Sequence, residues 1–192
     1  MTARCARAPC DDWIRVSRWL AILVDARAGR AADVDARLDA LEQAYAGDHQ
    51  AVATSGVVLA SLGRWADART RLARARAMPN VWERQSDLVE VDAWLGLALV
   101  HAGDLTAARA SFQEALDTLK APLNGLDGFT YMTPVAQLGL AQLLPDSDRA
   151  RARRLATRAR DGFTRLGPHR SQDRDAAIRW LAEHPGLLGG SR

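Results

Sequence analysis

The sequence predicts an all-α protein, and three observations predict it. Ala and Leu dominate the 192 residues, with 37 and 25 copies against 11 Val and 3 Ile. Ala and Leu lose little on entering a helix, whereas β-branched side chains are stiff there. Helical punctuation also recurs along the chain: Asp, Ser or Thr ahead of apolar-periodic runs, Gly or Pro behind them. Finally, no stretch alternates apolar and polar residues with period 2 for long enough to make a strand.

The elements follow in order. Asp11-Asp12 opens a run from Trp13 to Ala28 that closes at Gly29. Asp accepts from free N–H groups at a helix start, and Gly takes the left-handed conformation after its end. A second run, Asp33 to Ala46, carries Val34, Leu38, Leu41 and Tyr45 on one stripe and stops at Gly47. Asp48 caps a third run that ends at Leu62-Gly63. The fourth, Arg64 to Met78, stops at Pro79; the fifth, Val81 to Ala102, stops at Gly103. The sixth runs from Asp104 to Lys120, ahead of a loop from Ala121 to Thr130 rich in Gly, Pro and Asn. Thr133-Pro134 reads as cap plus first-turn Pro of a seventh helix ending at Leu144-Pro145. An eighth starts at Ser147 or Asp148 and reaches Leu166 before Gly167-Pro168. The ninth covers Gln172 to Glu183, with Ser171 as its cap. Residues 1–10 and 185–192 read as flexible ends around a single domain, 11–184.

Composition narrows the class. No apolar run approaches the roughly 18 residues of a membrane span. No apolar stretch follows Arg4 and Arg7, so a secretory signal is not expected. The only two cysteines, Cys5 and Cys10, cannot staple a chain this long, which makes the cytoplasm the expected compartment. Of 26 basic residues only Lys120 is Lys, a bias that fits codon usage in a GC-rich bacterial genome. The net charge of +3 is uneven: residues 146–192 hold 11 Arg and 6 acids, the remainder 15 basic and 17 acidic residues.

The helix ends repeat. Gly29 to Gly63 is 34 residues and Gly63 to Gly103 is 40, a range that signals stacked helical hairpins. Leu95-Gly96, Leu99, Gly103, Ala108, Phe112, Ala115 and Pro122 form a series that Gly56, Leu59, Gly63, Ala68, Leu72, Ala75 and Pro79 echo. Leu138-Gly139 with Ala152, Ala156 and Ala159 continues it with one extra residue; the first pair keeps only Gly29, Val34, Leu38 and Leu41. This series resembles the tetratricopeptide repeat over roughly residues 15–166. The resemblance implies a right-handed stack of about four antiparallel hairpins with a capping helix carrying Ile178, Trp180 and Leu181. A generic antiparallel bundle stands as the alternative, since small-large-small stripes occur in any Ala-rich helix. Gly56, Gly96 and Gly139 lie mid-helix, where Gly costs about 1 kcal/mol against Ala. That cost makes sense where a neighbour passes too close for a side chain, with Phe112 and Leu72 filling the space between repeats.

The stretch from Ala152 through Phe163 and Gly167-Pro168 to Ile178-Arg179-Trp180-Leu181-Ala182 is similar to the repeat tails of some bacterial Ser/Thr protein kinases. It also resembles repeat regions of large bacterial transcriptional activators. The likeness implies a detached regulatory or docking region.

Catalytic constellations are missing from the sequence. Lys120 ends a helix, and His169-Arg170-Ser171 and Asp161-Gly162-Phe163 stand in the wrong order for a kinase. Neither a Lys-Ser/Thr phosphate loop nor Gly-x-Ser-x-Gly occurs. His49, His101, His169 and His184 are scattered, and one cysteine pair does not make a zinc site, so no metal and no cofactor are expected. Asp11-Asp12, Glu90/Asp92 and Asp146/Asp148 lie at helix starts or on polar faces, where capping explains most of them.

Two faces are candidates for binding. The first helix of each hairpin would line a concave apolar side: Val16, Trp19 and Leu23; Ala53, Val57 and Ala60; Ala93, Leu97 and Val100; Ala136, Leu140 and Leu143. Such a groove would dock another protein, an amphipathic peptide or a second copy of the chain. Tight curling, which would make these residues ordinary core, is the alternative. Five of the six Trp lie on helices with apolar neighbours and read as core, with Trp19 the one suspected of binding. On the eighth helix, Arg149, Arg151, Arg153, Arg154, Arg158, Arg160 and Arg165 lie opposite a stripe of Leu155, Ala159, Phe163 and Leu166. That face, with Arg151, Arg154, Arg158 and Arg165 as its phosphate-binding candidates, is either solvated or the contact surface of a nucleic-acid-associated regulator.

Overall fold

The computed structural model describes residues 8–30, 33–78, 85–119 and 130–185, with side chains from residue 17 in the first stretch and from 87 in the third. Within them the chain is all-α, and no strand occurs among the described residues. The helices are α1 (Ala8–Arg27), α2 (Val34–Ala44), α3 (His49–Ser61), α4 (Trp65–Ala77), α5 (Gln85–His101), α6 (Leu105–Thr118), α7 (Thr133–Leu143), α8 (Arg149–Leu166) and α9 (Ser171–Glu183). They fall into two compact units, residues 1–80 and 81–192.

Local chemistry sets the helix ends. Asp48 accepts from the Gln50 backbone N–H at 2.8 Å, and Asp104 from that of Ala107 at 3.1 Å, as the punctuation predicts. At Gly63 and Gly103 the backbone turns to φ +77°. Each follows the same closing pattern, with Arg64 N–H on the Leu59 carbonyl and Asp104 N–H on the Leu99 carbonyl. A Cβ would strain that left-handed turn, so Gly belongs there. Other ends differ from expectation. Asp11 and Asp12 lie inside α1 instead of capping it. Thr133 is the first residue of α7, and its hydroxyl faces backward to accept from Thr130 N–H at 2.9 Å. Ser171 opens α9 from within the helix. A 3-10 turn, Asp146–Asp148, precedes α8. Residues 121–129 of the expected loop, residues 1–7 with Cys5, and residues 186–192 lie outside the described residues, as do the side chains of Cys10, Trp13, Val16 and Trp82; residues 8–10, expected in a flexible end, belong to α1.

In the first unit α3 is the centre, packed against α1, α2 and α4. Eight of its thirteen residues are buried, mostly small: Ala51, Val52, Ala53, Ser55, Gly56, Val58, Leu59 and Ala60. Ala68, Leu72 and Ala75 of α4 form the matching stripe. A Cβ on Gly56 would meet Leu72 Cγ at 2.7 Å, so the glycine admits the leucine. Ion pairs join α2 to α4: Arg64 to Asp35 at 2.9 Å, Arg71 to Asp39 at 2.8 Å, and both Arg71 and Arg74 to Glu42.

In the second unit α5 packs on α6, α7 on α8 and α8 on α9, and α7 also touches α5 and α6. One core gathers Val89, Ala93, Ala108, Phe112, Ala115, Met132, Ala136 and Leu140. A second gathers Leu138, Ala141, Ala152, Ala156, Ala159, Phe163 and Ala177. Phe112 is the hinge of this packing. The outer end of its ring lies against both Gly96 of α5 and Gly139 of α7. A Cβ would stand 2.6 Å from the ring at residue 96 and 2.5 Å at residue 139. The close neighbour at these glycines is thus an aromatic ring, not helix backbone. At the chain's far end Arg153 donates to the carbonyls of Leu181 and His184, and the Trp180 ring stacks on His184 at 4.2 Å. Ile178, expected to help close that end, is 46% exposed; Ala177 is the buried residue of α9.

This packing makes a test. Gly139→Ala should gain about 1 kcal/mol of helix propensity yet destabilise the chain by about 1–3 kcal/mol, because the clamped ring cannot move aside. In a Phe112→Leu background the same substitution should cost far less. Urea unfolding of the four proteins measures that coupling.

Candidate docking face and its polar cluster

The structure distributes the predicted groove residues unequally. Trp19 is 1% exposed; its indole N–H donates to Ser55 Oγ at 3.0 Å, and its ring tilts against Tyr45 at 5.7 Å. Ser55 Oγ in turn donates to the Ala51 carbonyl. Trp19 is therefore a core residue here, fixed by a buried polar contact. Leu140 is 1% exposed, and Ala53, Ala60, Ala93 and Ala136 are buried with it. Leu23, Val57, Leu97 and Leu143 are half-buried, and Val100 is 37% exposed. In each unit taken by itself the predicted residues are mostly packed core with a partly open edge, Leu23 and Val57 in the first and Leu97, Val100 and Leu143 in the second. On α1 the outward apolar residues are Leu20 and Val24, both more than half exposed and one turn apart. The sequence pattern put Trp19 on the open side because no local period contains its contact to Ser55.

A polar cluster lies on α5 of the second unit. Glu90 and Trp94 are one turn apart on the helix, and both are half-buried. Tyr131, just ahead of α7, stands beside Glu90 and Trp94, and the Trp94 indole N–H is buried without a hydrogen-bond partner. Partial burial pushes the Glu90 carboxyl up to about 7; the Asp87 charge adds to the shift and the nearby Tyr131 hydroxyl opposes it. Desolvation also pushes the Tyr131 hydroxyl up to about 12, with Glu90 adding and Trp94 and Arg170 opposing. Arg170 reaches this place from the turn before α9, where it pairs with Asp173 at 2.9 Å. Glu90 and Asp92 do not form a pair of converging carboxylates: Asp92 is buried, and its backbone carbonyl accepts from Ser111. Glu90 and Trp94 share α5, whereas Tyr131 lies about forty residues on in the sequence, so its place beside them was legible only through the fold.

The arginines of α8 divide in two. Arg149 pairs with Asp146 at 2.6 Å and Arg160 with Asp161 at 2.7 Å. Arg151 donates to Gln113 on α6, and Arg153 caps the carbonyls at the end of α9. Arg154, Arg158 and Arg165 are exposed. The uniformly solvated face expected for these residues is corrected at Arg151 and Arg153, which leave the surface arc to tie α8 to α6 and α9. Among the described residues no three His, Cys, Asp or Glu side chains come together as metal ligands. No helix among them is long and apolar enough to cross a membrane.

No family model matches the chain, and no curated protein is similar to it in sequence.

The raised Glu90 pKa sets a pH dependence. Between pH 4.5 and about 7 the folded chain keeps a proton on Glu90 that the unfolded chain has released. Stability contributed by that proton is complete below pH 4.5 and lost as pH rises through 7. Glu90→Gln should match the parent at pH 4 and exceed it by about 1–2 kcal/mol at pH 8. Equal denaturation midpoints at pH 8 would exclude the burial of this carboxyl.

Proposed function

We propose that the chain is a non-catalytic docking protein whose helices pair as antiparallel hairpins stacked in the tetratricopeptide manner, with α9 as the cap. The observation that carries this reading is the repeated seating of a large side chain against a mid-helix glycine. Leu72 meets Gly56 and Phe112 meets Gly96, sixteen residues apart in each case. Phe112 then also meets Gly139 of the next pair. In such a stack the first helices share one face. In the second unit that face carries Leu97, Val100 and Leu143, partly open beside the buried Ala93 and Ala136. Apolar residues lined up in this way suit the apolar stripe of a partner's amphipathic helix. The face is nearly uncharged, which does not suit the clamping of a peptide carboxylate. The same reading fits a regulatory region detached from a larger protein, acting in the cytoplasm.

The rival, a nucleic-acid contact through α8, has less support. Arg149, Arg151, Arg153 and Arg160 already bond within the protein. Only Arg154, Arg158 and Arg165 of that row are exposed, too few for a steep salt dependence.

Affinity capture with the tagged full chain separates the readings. Leu97→Asp or Val100→Asp should abolish capture of a specific partner while the circular dichroism spectrum stays helical. Leu140→Asp should unfold the second unit, because it places an unpaired charge in the core. A Leu97→Asp, Val100→Asp double variant that captures the same partner would remove the docking face from the account. Arg154→Gln with Arg158→Gln should leave partner capture unchanged; abolition of a sub-micromolar duplex complex by that pair would establish the rival.

A further inference from the structure

We infer that the second unit carries a separate binding cleft, on the side of α6 and α8, for an acidic side chain of a docking peptide. The cleft has a volume of about 340 Å³ and lies between α6 and α8 above the end of α7. Its floor is apolar, with Leu140 fully buried and Leu144 half-buried. Arg109 of α6 and Arg151 of α8 stand in its lining with Gln113 and Asp148. Two guanidinium groups against one carboxylate give the lining a positive balance.

The arrangement is partly preset. Gln113 Nε2 donates to Asp117 at 2.8 Å, which fixes the amide, and its Oε1 accepts from Arg151. One donor of Arg151 is thereby used to hold the guanidinium in place, and several of its five N–H groups remain. Arg109 is exposed and adds a second fork. A carboxylate is the anion that such planar donors take up bidentately. The volume sits at the lower end of small-ligand sites, so it admits one side chain and its apolar neighbour. It does not fit a nucleic-acid backbone, whose phosphates need a row of cations along the surface. The exposed Arg154 and Arg158 stand one and two turns along α8 and add long-range attraction for an acidic segment. The cleft shares only the fully buried Leu140 with the predicted apolar face; its arginines stand on the second helices.

The test titrates the full-length chain with an acetylated, amidated hexapeptide of alternating Glu and Leu, followed by amide chemical shifts. Shifts should concentrate on α6, the end of α7 and the start of α8, with sub-millimolar affinity. Replacing the peptide's Glu by Gln should weaken binding at least fivefold, and Arg109→Gln in the protein should do the same. Arg109 is exposed, so that variant keeps the fold; an unchanged thermal melt checks it. Arg158→Gln, outside the cleft, should change affinity less than twofold. Loss at Arg158 equal to loss at Arg109 would overturn the cleft in favour of diffuse charge attraction. No binding by the parent chain, or equal binding of the Gln peptide, would overturn it outright. Tighter binding of a 16-base-pair duplex than of the peptide, lost in Arg158→Gln, would replace it with a nucleic-acid surface. None of these outcomes bears on partner capture through Leu97 and Val100, so the two sites fail separately.

Discussion

The ring of Phe112 occupies a slot that exists because residues 96 and 139 have no side chain. The second unit depends on that contact. α6 supplies the ring, α5 one wall and α7 the other, so one aromatic side chain fixes the distance between three helices. The glycines weaken their own helices by about 1 kcal/mol each, and full burial of a Phe contributes about 1.5–3 kcal/mol. The terms nearly cancel, so what the contact supplies is specificity. A smaller residue at 112 would leave a void, and any residue larger than Gly at 96 or 139 would push the ring into a wall that has no room. In the first unit Gly56 and Leu72 repeat the arrangement with a flexible side chain. The looser filler goes with a stronger polar strap there, the α2–α4 ion pairs around Arg71 and Glu42.

The same packing decides which apolar residues remain available. When α5 and α7 close on Phe112, Ala93, Ala136 and Leu140 are carried into the core and only the rim stays open. Leu97, Val100 and Leu143 sit on that rim, and the Glu90–Tyr131–Trp94 group lies one to two turns away on the same unit. A carboxyl shifted to about 7 by burial is a local instability that the fold tolerates. It places a protonation change near neutral pH next to the proposed docking face, so partner affinity and acidity are linked wherever a ligand further desolvates Glu90.

Much of the architecture was legible in the residues themselves. Gly63 and Gly103 announced their turns because only Gly accepts that backbone cheaply, and Asp48 and Asp104 announced their caps because a short carboxylate meets free N–H groups. The mid-helix glycines announced close approach, although not its agent. Three features stayed hidden, each for a physical reason. Trp19 turned inward because of a hydrogen bond to Ser55, thirty-six residues away, which no local period contains. Arg153 left the solvated arc because its long side chain reaches carbonyls at the end of α9. Tyr131 stands beside Glu90 and Trp94 because α5 and α7 are packed together, and Arg170 comes to it from the turn before α9. Short-range signals thus fixed helices and turns, whereas helix rotation and cross-helix polar contacts came from the folded whole.

The most direct measurement of the account's central claim is a nuclear Overhauser experiment on the full chain with Phe112 ring protons observed. The packing predicts strong contacts from the ring to the α protons of both Gly96 and Gly139, with those protons shifted upfield by the ring current. Contacts to one glycine alone, or to neither, would contradict a ring held between the two helices and with it the stacked-hairpin reading.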